Sequence, residues 1–137
     1  MRVAPLPDHL RPAAVALWHA AGLTRPWNDP EADLQRALQG PSSTVLAALD
    51  GKRLVGTVMV GSDGHRGWIY YLAVDEAARG RGWGRRLVQE SEDWLRARGV
   101  PKVQLMVRTT NTGVLAFYAA LGYEDADVHV LGRRLDG

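Results

Sequence analysis

The sequence predicts an α/β chain built on a mixed, mostly antiparallel sheet, and three observations carry that reading. Apolar runs at 44–49, 54–60 and 68–74 follow one another with Asp50-Gly51 and then Gly61 to Gly67 between them, the pattern of an antiparallel meander. A glycine-rich turn at 79–84 opens an amphipathic helix running to Arg98, and the strand read at 100–107 can lie parallel to 68–74 because a helix intervenes. With apolar helical stripes near both ends of the chain, the total is about four helices around about six to seven strands.

Taken in order, Met1 to Pro5 reads as a short edge strand. Asp8 is positioned to cap a helix whose Leu10, Ala13, Ala14, Leu17 and Trp18 share a side, with Pro12 in its first turn and Gly22 as its stop. Asp29 and Pro30 supply the cap and first position of a second helix, which buries Leu34, Ala37 and Leu38 and ends at Gly40-Pro41. The residues before it, Trp27, Asn28 and Asp29, are either a capped helix entry with Trp27 in the core or a recognition loop.

His65, in the reversal before the strand at 68–74, is a polar turn residue or else a base or substrate contact. Tyr70 and Tyr71 alternate along that strand, so one should meet the ligand side and the other pack beneath a helix. Gly84, Leu87, Val88, Ser91, Trp94, Leu95 and Arg98 fall at helical spacing and read as core, with Gly99 as the stop. Asn111 can cap the last helix, where Val114, Phe117, Tyr118 and Leu121 form a stripe and Gly122 ends it. On this pattern alone Tyr118 is a packing residue with its hydroxyl at the rim. Tyr123 to Leu135 is expected to return as a final antiparallel hairpin or strand, turned by Asp125 to Asp127.

Length and composition bound the function. The 137 residues suit one domain over 1–137, with a single core. A formal net charge of +2 is too small for a general nucleic-acid binder and favours a local anionic site. The absence of cysteine excludes disulfides and thiolate metal sites, and no metal site is expected. Early prolines at 5, 7 and 12 and an aspartate at 8 break any signal-peptide or membrane-spanning pattern, so a cytoplasmic protein is the default.

The stretch that carries chemistry is Arg79-Gly80-Arg81-Gly82-Trp83-Gly84, continued by Arg85 and Arg86. A strand that turns through glycines into a helix aims backbone N–H groups and the positive end of the helix dipole at one spot. Glycines at 80, 82 and 84 remove the Cβ atoms that would hold an anion away, and the arginines ring the spot with positive charge. Phosphate is the obvious ligand, and a plain turn with solvated arginines is the alternative. A P-loop would need a closing Gly-Lys-Ser/Thr, and a Rossmann turn would need parallel strands upstream.

This stretch resembles motif A of the GNAT superfamily, the Gcn5-related N-acetyltransferases: Arg79, Gly82 and Gly84 meet its Arg/Gln-x-x-Gly-x-Gly/Ala pattern. Asn111, Phe117-Tyr118 and Leu121-Gly122-Tyr123 resemble the family's asparagine and following aromatic segment. Leu23 to Pro30, Asp63 to Gly67 and Tyr70 to Leu72 are similar to the small bacterial YpeA-type acetyltransferases.

The resemblance implies a GNAT fold with its sheet splayed at the cofactor site, and acetyl-coenzyme A as the acetyl donor to an amine acceptor. It implies that the pyrophosphate lies on the N–H groups of Arg81 to Arg85, and that the pantetheine arm pairs along Leu72, Ala73 and Val74 like an added strand. Asn111 would contact the cofactor arm, and Tyr118 would stand near the sulfur as the acid for the thiolate. A backbone N–H near Leu72 or Ala73 would polarise the thioester carbonyl. The loop at Trp27, Asn28 and Asp29 would wall the acceptor pocket.

No general base is evident. The strand at 68–74 has no acid, and Met106 stands where the N-terminal-acetylating type would carry glutamate, which disfavours a protein α-amine. Asp29, Glu31, His65, Tyr70 or a water chain remain for the role, and an acceptor that arrives neutral needs none. A non-catalytic acyl-coenzyme A sensor of the same fold is the alternative function. A homodimer is compatible with either, and neither nucleic acid nor membrane is an expected partner.

Overall fold

The structure is a computed structural model, and it describes residues 2–136. In chain order the elements are β1 (Arg2–Pro5), a 3-10 turn at Asp8–Leu10, α1 (Arg11–Ala20), α2 (Pro30–Gln39), β2 (Ser43–Asp50), β3 (Arg53–Ser62) and β4 (Gly67–Val74). A second 3-10 turn at Glu76–Ala78, α3 (Trp83–Arg96), β5 (Val103–Leu105) and α4 (Thr112–Ala120) follow. Met1, where the first strand was expected to begin, lies outside the described residues. The chain divides into two compact units: Met1–Met106 holds the sheet and α1 to α3, and Val107–Gly137 holds α4.

The sheet has five strands in the order β1-β2-β3-β4-β5. The first three pairings are antiparallel and β4–β5 is parallel, as the meander and the helical crossover dictate. On one face Val45, Ala47, Leu49 and Ala73 are buried with Trp18 of α1 and Leu34 of α2. The other face receives α3, whose Leu87, Val88 and Leu95 are buried. Gly67 admits that helix: a Cβ there would lie 2.5 Å from Leu95 Cδ1.

Several expectations are corrected. Asp8 does not cap α1; it sits in the 3-10 turn and pairs with Arg11 at 2.9 Å, while Leu10 occupies the cap position without a side-chain bond. The strand read at 100–107 shrinks to Val103–Leu105. The final hairpin does not form: no strand occurs among described residues 123–136, so the sheet has five strands instead of six to seven. There Asp125 accepts from Asp127 N–H at 2.8 Å and Asp127 has φ +54°, so the expected turn at Asp125 to Asp127 forms while the strands it was to join do not. Trp27 is not core, being 56% exposed. Trp94 is only half-buried and its ring instead carries the Arg98 guanidinium 3.5 Å from its centroid.

Tyr70 and Tyr71 do not face opposite ways. The β3–β4 register shifts between Thr57 and Met59, so that Met59 pairs with Tyr70 while Thr57 pairs with Ala73, and Val58 faces two residues of β4. A bulge of this kind breaks the alternation of side chains. Tyr71 adopts φ +51°, and both tyrosine rings lie on the side of the sheet covered by α1 and α2.

Candidate active site

The geometry begins with a strand that loses its neighbour. β5 pairs with β4 only at Gly67, Trp68 and Ile69, so from Tyr70 to Val74 that edge of β4 has no strand partner among the described residues. Asp75 N–H bonds to Val55 O across the sheet at 2.8 Å. Strand alternation therefore turns the backbone groups of Ala73 toward β3 and those of Leu72 and Val74 toward the open edge. Arg79 reaches that edge, its Nε donating to Val74 O at 3.4 Å.

The glycine-rich turn follows. Gly80 and Gly82 have φ of +80° and +83°, a region that costs other residues steric strain. A Cβ added at either would meet nothing within 4 Å, so the space beside both glycines is open. Gly82 is the residue before the first turn of α3 and makes no side-chain cap. Among the described residues none accepts a hydrogen bond from any N–H between Gly80 and Arg85, whereas Arg79 N–H and Arg86 N–H are both paired. Unpaired donors and the dipole of a 14-residue helix thus converge on one exposed spot. Arg79, Arg81 and Arg85 are exposed beside it; Arg86 is drawn away into an ion pair with Glu90 at 2.8 Å. This cradle offers positive charge and free N–H donors of the kind an anion needs, and the open edge of β4 leads from it to the bulge.

At the bulge, two cavities meet. One of about 360 Å³ is lined by Asp33 and Arg36 of α2, Ser43, Met59 and both Tyr70 and Tyr71. The other, about 460 Å³, shares Ser43, Met59 and Tyr70 and adds Asp63 and Trp68. Asp33 receives the Tyr71 hydroxyl at 2.8 Å and Arg36 at 2.5 Å. Burial, then the Asp33 hydrogen bond, pushes the Tyr71 phenol well above its usual range. Burial and then the charge of Asp63 push the Tyr70 phenol up as well, which keeps it protonated, so it can donate a hydrogen bond but does not serve as a base. Asp63 accepts from Arg66 N–H and His65 N–H, both at 2.8 Å, and from Trp68 Nε1 at 3.1 Å; together they lower its carboxyl to about 2.

The remaining candidates are dispersed. Asp29 caps α2, accepting from Glu31 N–H and Ala32 N–H at 3.1 Å, and Trp27 and Asn28 are exposed beside it. His65 and Glu31 are exposed and line neither cavity. In the second unit, Asn111 caps α4 through Val114 N–H at 3.3 Å. Tyr118 is buried, its ring edge-on to Phe117 and Tyr123, and burial raises its phenol to about 12. Asp33, Arg36, Ser43 and Met59 are residues of the first cavity that sequence reasoning missed. The available signal was a spacing: Asp29 and Asp33 lie one helical turn apart, so a cap at Asp29 aims Asp33 along the same side of α2.

The family profile for the GNAT acetyltransferases matches residues 13–123. The chain belongs to the GNAT family. It is 46% identical over 123 residues to an acetyltransferase of Pectobacterium atrosepticum, a match covering 90% of this chain and 87% of the relative. Among solved structures, the ribosomal-protein-alanine N-acetyltransferase of Escherichia coli aligns with a TM-score of 0.78 and 25% identity, over 91% of this chain and 78% of that one. AAC(6')-Iy in complex with a bisubstrate analogue containing coenzyme A aligns with a TM-score of 0.83 over 97% of both chains; at 15% identity this likeness speaks to fold alone. This GNAT chain is an N-acetyltransferase, an enzyme class that draws its acyl group from a coenzyme A thioester. No described helix is long and apolar enough to cross a membrane.

Proposed function

We propose that the enzyme transfers an acetyl group from acetyl-coenzyme A to a primary amine of a small molecule, and that all of 1–137 acts as one catalytic domain. The observation that carries the proposal is the run of unpaired N–H groups from Gly80 to Arg85 set beside the open β4 edge at Leu72 to Val74. The family match from 13 to 123 runs across both compact units, which supports a single domain.

In this reading the donors of Arg81 to Arg85, with Gly80, Gly82, Trp83 and Gly84 shaping the turn, hold the diphosphate, and Arg79, Arg81 and Arg85 screen its charge. Leu72 and Val74 offer backbone groups to the pantetheine amides, while Ala73 keeps the strand in the sheet. Leu72 N–H polarises the thioester carbonyl. Asn111 assists the cofactor arm, as the family resemblance implies.

The acceptor enters the cavity bounded by Asp33, Met59, Tyr70 and Tyr71. Its nitrogen attacks as the neutral amine, the new C–N bond forms as the C–S bond breaks, and one proton moves from nitrogen to sulfur. The family resemblance implies that Tyr118 relays that proton: its phenol, held protonated up to about 12, would donate to the sulfur and regain a proton from the nitrogen as positive charge develops there. A small amine is favoured over a protein because β4 and β5 bring no carboxylate to the acceptor.

Thiol release with acetyl-coenzyme A across a panel of small amines, polyamines and peptides tests the proposal. Acceptor-dependent release is expected. Tight binding of acetyl-coenzyme A with no acceptor-dependent release would instead mark a sensor of the same fold.

A further inference from the structure

The peptide unit between Tyr71 and Leu72 is held from inside the core. Among the described residues Tyr71 is one of two non-glycine residues with positive φ, and three contacts keep it in that strained conformation. Its ring stacks on Trp18 with centroids 3.9 Å apart and planes 16° apart. Its hydroxyl donates to Asp33. Its carbonyl accepts from Thr57 Oγ1 at 3.1 Å, and Thr57 Oγ1 in turn accepts from Trp18 Nε1 at 2.8 Å.

Thr57 and Trp18 both have no solvent exposure, and among the described residues Thr57 is, apart from Ser91, the buried polar residue. Ser91 bonds only within its own helix, to Leu87 O. A valine would fill the volume of Thr57 without burying a hydroxyl, so the hydroxyl at this position has a task other than packing.

A trans peptide is planar, and its C=O and N–H point in opposite directions. Because Thr57 draws the Tyr71 carbonyl toward β3, the Leu72 N–H of the same peptide unit is turned outward, onto the edge that β5 leaves open. We propose that Thr57, seconded by Trp18, is a positioning residue for acetyl transfer: it fixes the plane of the Tyr71–Leu72 peptide and so aims the Leu72 N–H at the thioester carbonyl. The inference rests on the proposed use of that N–H, and Thr57 itself touches neither substrate.

Three variants and two readouts test it. Thr57→Val keeps the shape and removes the hydroxyl, Thr57→Ser keeps the hydroxyl, and Trp18→Phe keeps a stacking ring but removes the N–H donor. For Thr57→Val, kcat should fall by about tenfold to a hundredfold, the range for a misaimed carbonyl donor, while coenzyme A affinity and acceptor KM stay within about twofold. Thr57→Ser should restore most of kcat, and Trp18→Phe should fall between.

Unchanged kcat in Thr57→Val, or equal losses in the valine and serine variants, would overturn the assignment. If Thr57→Val does not fold, Trp18→Phe decides: kcat lowered at constant KM supports the clamp, and wild-type kcat defeats it. The second readout is the Leu72 amide resonance during acetyl-coenzyme A titration. It should shift in the wild-type chain and shift much less in Trp18→Phe and Thr57→Val; equal shifts would also overturn the clamp. This arm needs no acceptor, so a wild-type chain that shifts Leu72 but releases no thiol refutes the enzymatic reading while leaving the clamp decided.

Discussion

The hydroxyl of Tyr71 on β4 donates to the carboxylate of Asp33 on α2 at 2.8 Å, joining the bulged strand to the helix that walls the cavity proposed for the acceptor. Asp33 is the cavity's carboxylate, and it is already shared between Tyr71 and Arg36. Asp33→Asn keeps an acceptor for the tyrosine and removes the charge. Acceptor KM should rise about tenfold for a cationic amine, with coenzyme A affinity unchanged, since an ionised hydrogen-bond partner is worth roughly twice a neutral one. Steady-state kinetics check this, and an unaltered KM would remove Asp33 from the acceptor site.

At the other end of the β4 edge, Gly82→Glu places a side chain and a negative charge in the open side of the turn, at a φ of +83°. Coenzyme A affinity should fall by at least about a hundredfold, because the nest loses both its space and its positive field. Calorimetric titration measures it; affinity within a few-fold of wild type would mean that the diphosphate binds elsewhere.

Tyr118→Phe should lower kcat by about a hundredfold and leave the coenzyme A dissociation constant nearly unchanged, the signature of a lost proton donor. The phenol, raised to about 12 by burial, remains protonated throughout the range in which the enzyme is assayed. Loss of a proton from Tyr118 should therefore produce no alkaline fall in rate below about pH 11, about one unit under that value. A pH–rate profile with a Tyr118-dependent limb near neutrality would contradict the role.

Asp29 occupies a helix cap and adjoins the exposed Trp27-Asn28 loop. Asp29→Ala should cost about 1 kcal/mol of stability through the lost cap. Thermal unfolding and acceptor kinetics together separate the two roles. A lower Tm at unchanged acceptor KM assigns Asp29 to the cap, and a raised KM for every amine makes the loop a wall of the site.

Asp63 ties the β3–β4 turn to Trp68. Backbone and indole donors favour its ionised form, so its folded-state value of about 2 lies below the ordinary 3.8. A depressed carboxyl contributes its stability above the ordinary value and loses it as pH falls through the folded one. The turn should therefore be intact above about pH 4 and loosen toward pH 2, followed by the Trp68 indole N–H resonance. A midpoint near 4 would dissolve the linkage.

Much of this enzyme can be read along its chain. The meander, the helix after the glycine turn, the caps at Asp29 and Asn111 and the parallel placement of β5 follow from apolar period, turn residues and connection length, all local properties. The anion cradle is equally local, since consecutive N–H groups and the glycines that free them are neighbours in sequence.

The acceptor cavity is not local. Asp33, Thr57 and Trp18 acquire meaning only where a bulge turns Tyr70 and Tyr71 to one face, and that bulge is set by a register shift between two strands. The same limit explains the missing last strand: the turn at Asp125 to Asp127 is local and forms, whereas a strand needs a pairing partner that the local sequence does not specify. A period states which faces a segment can offer. Which residue of a neighbouring strand or helix meets each face is decided by three-dimensional packing and hydrogen-bond pairing, and in this protein that decision put an aspartate, a threonine and a tryptophan around one tyrosine.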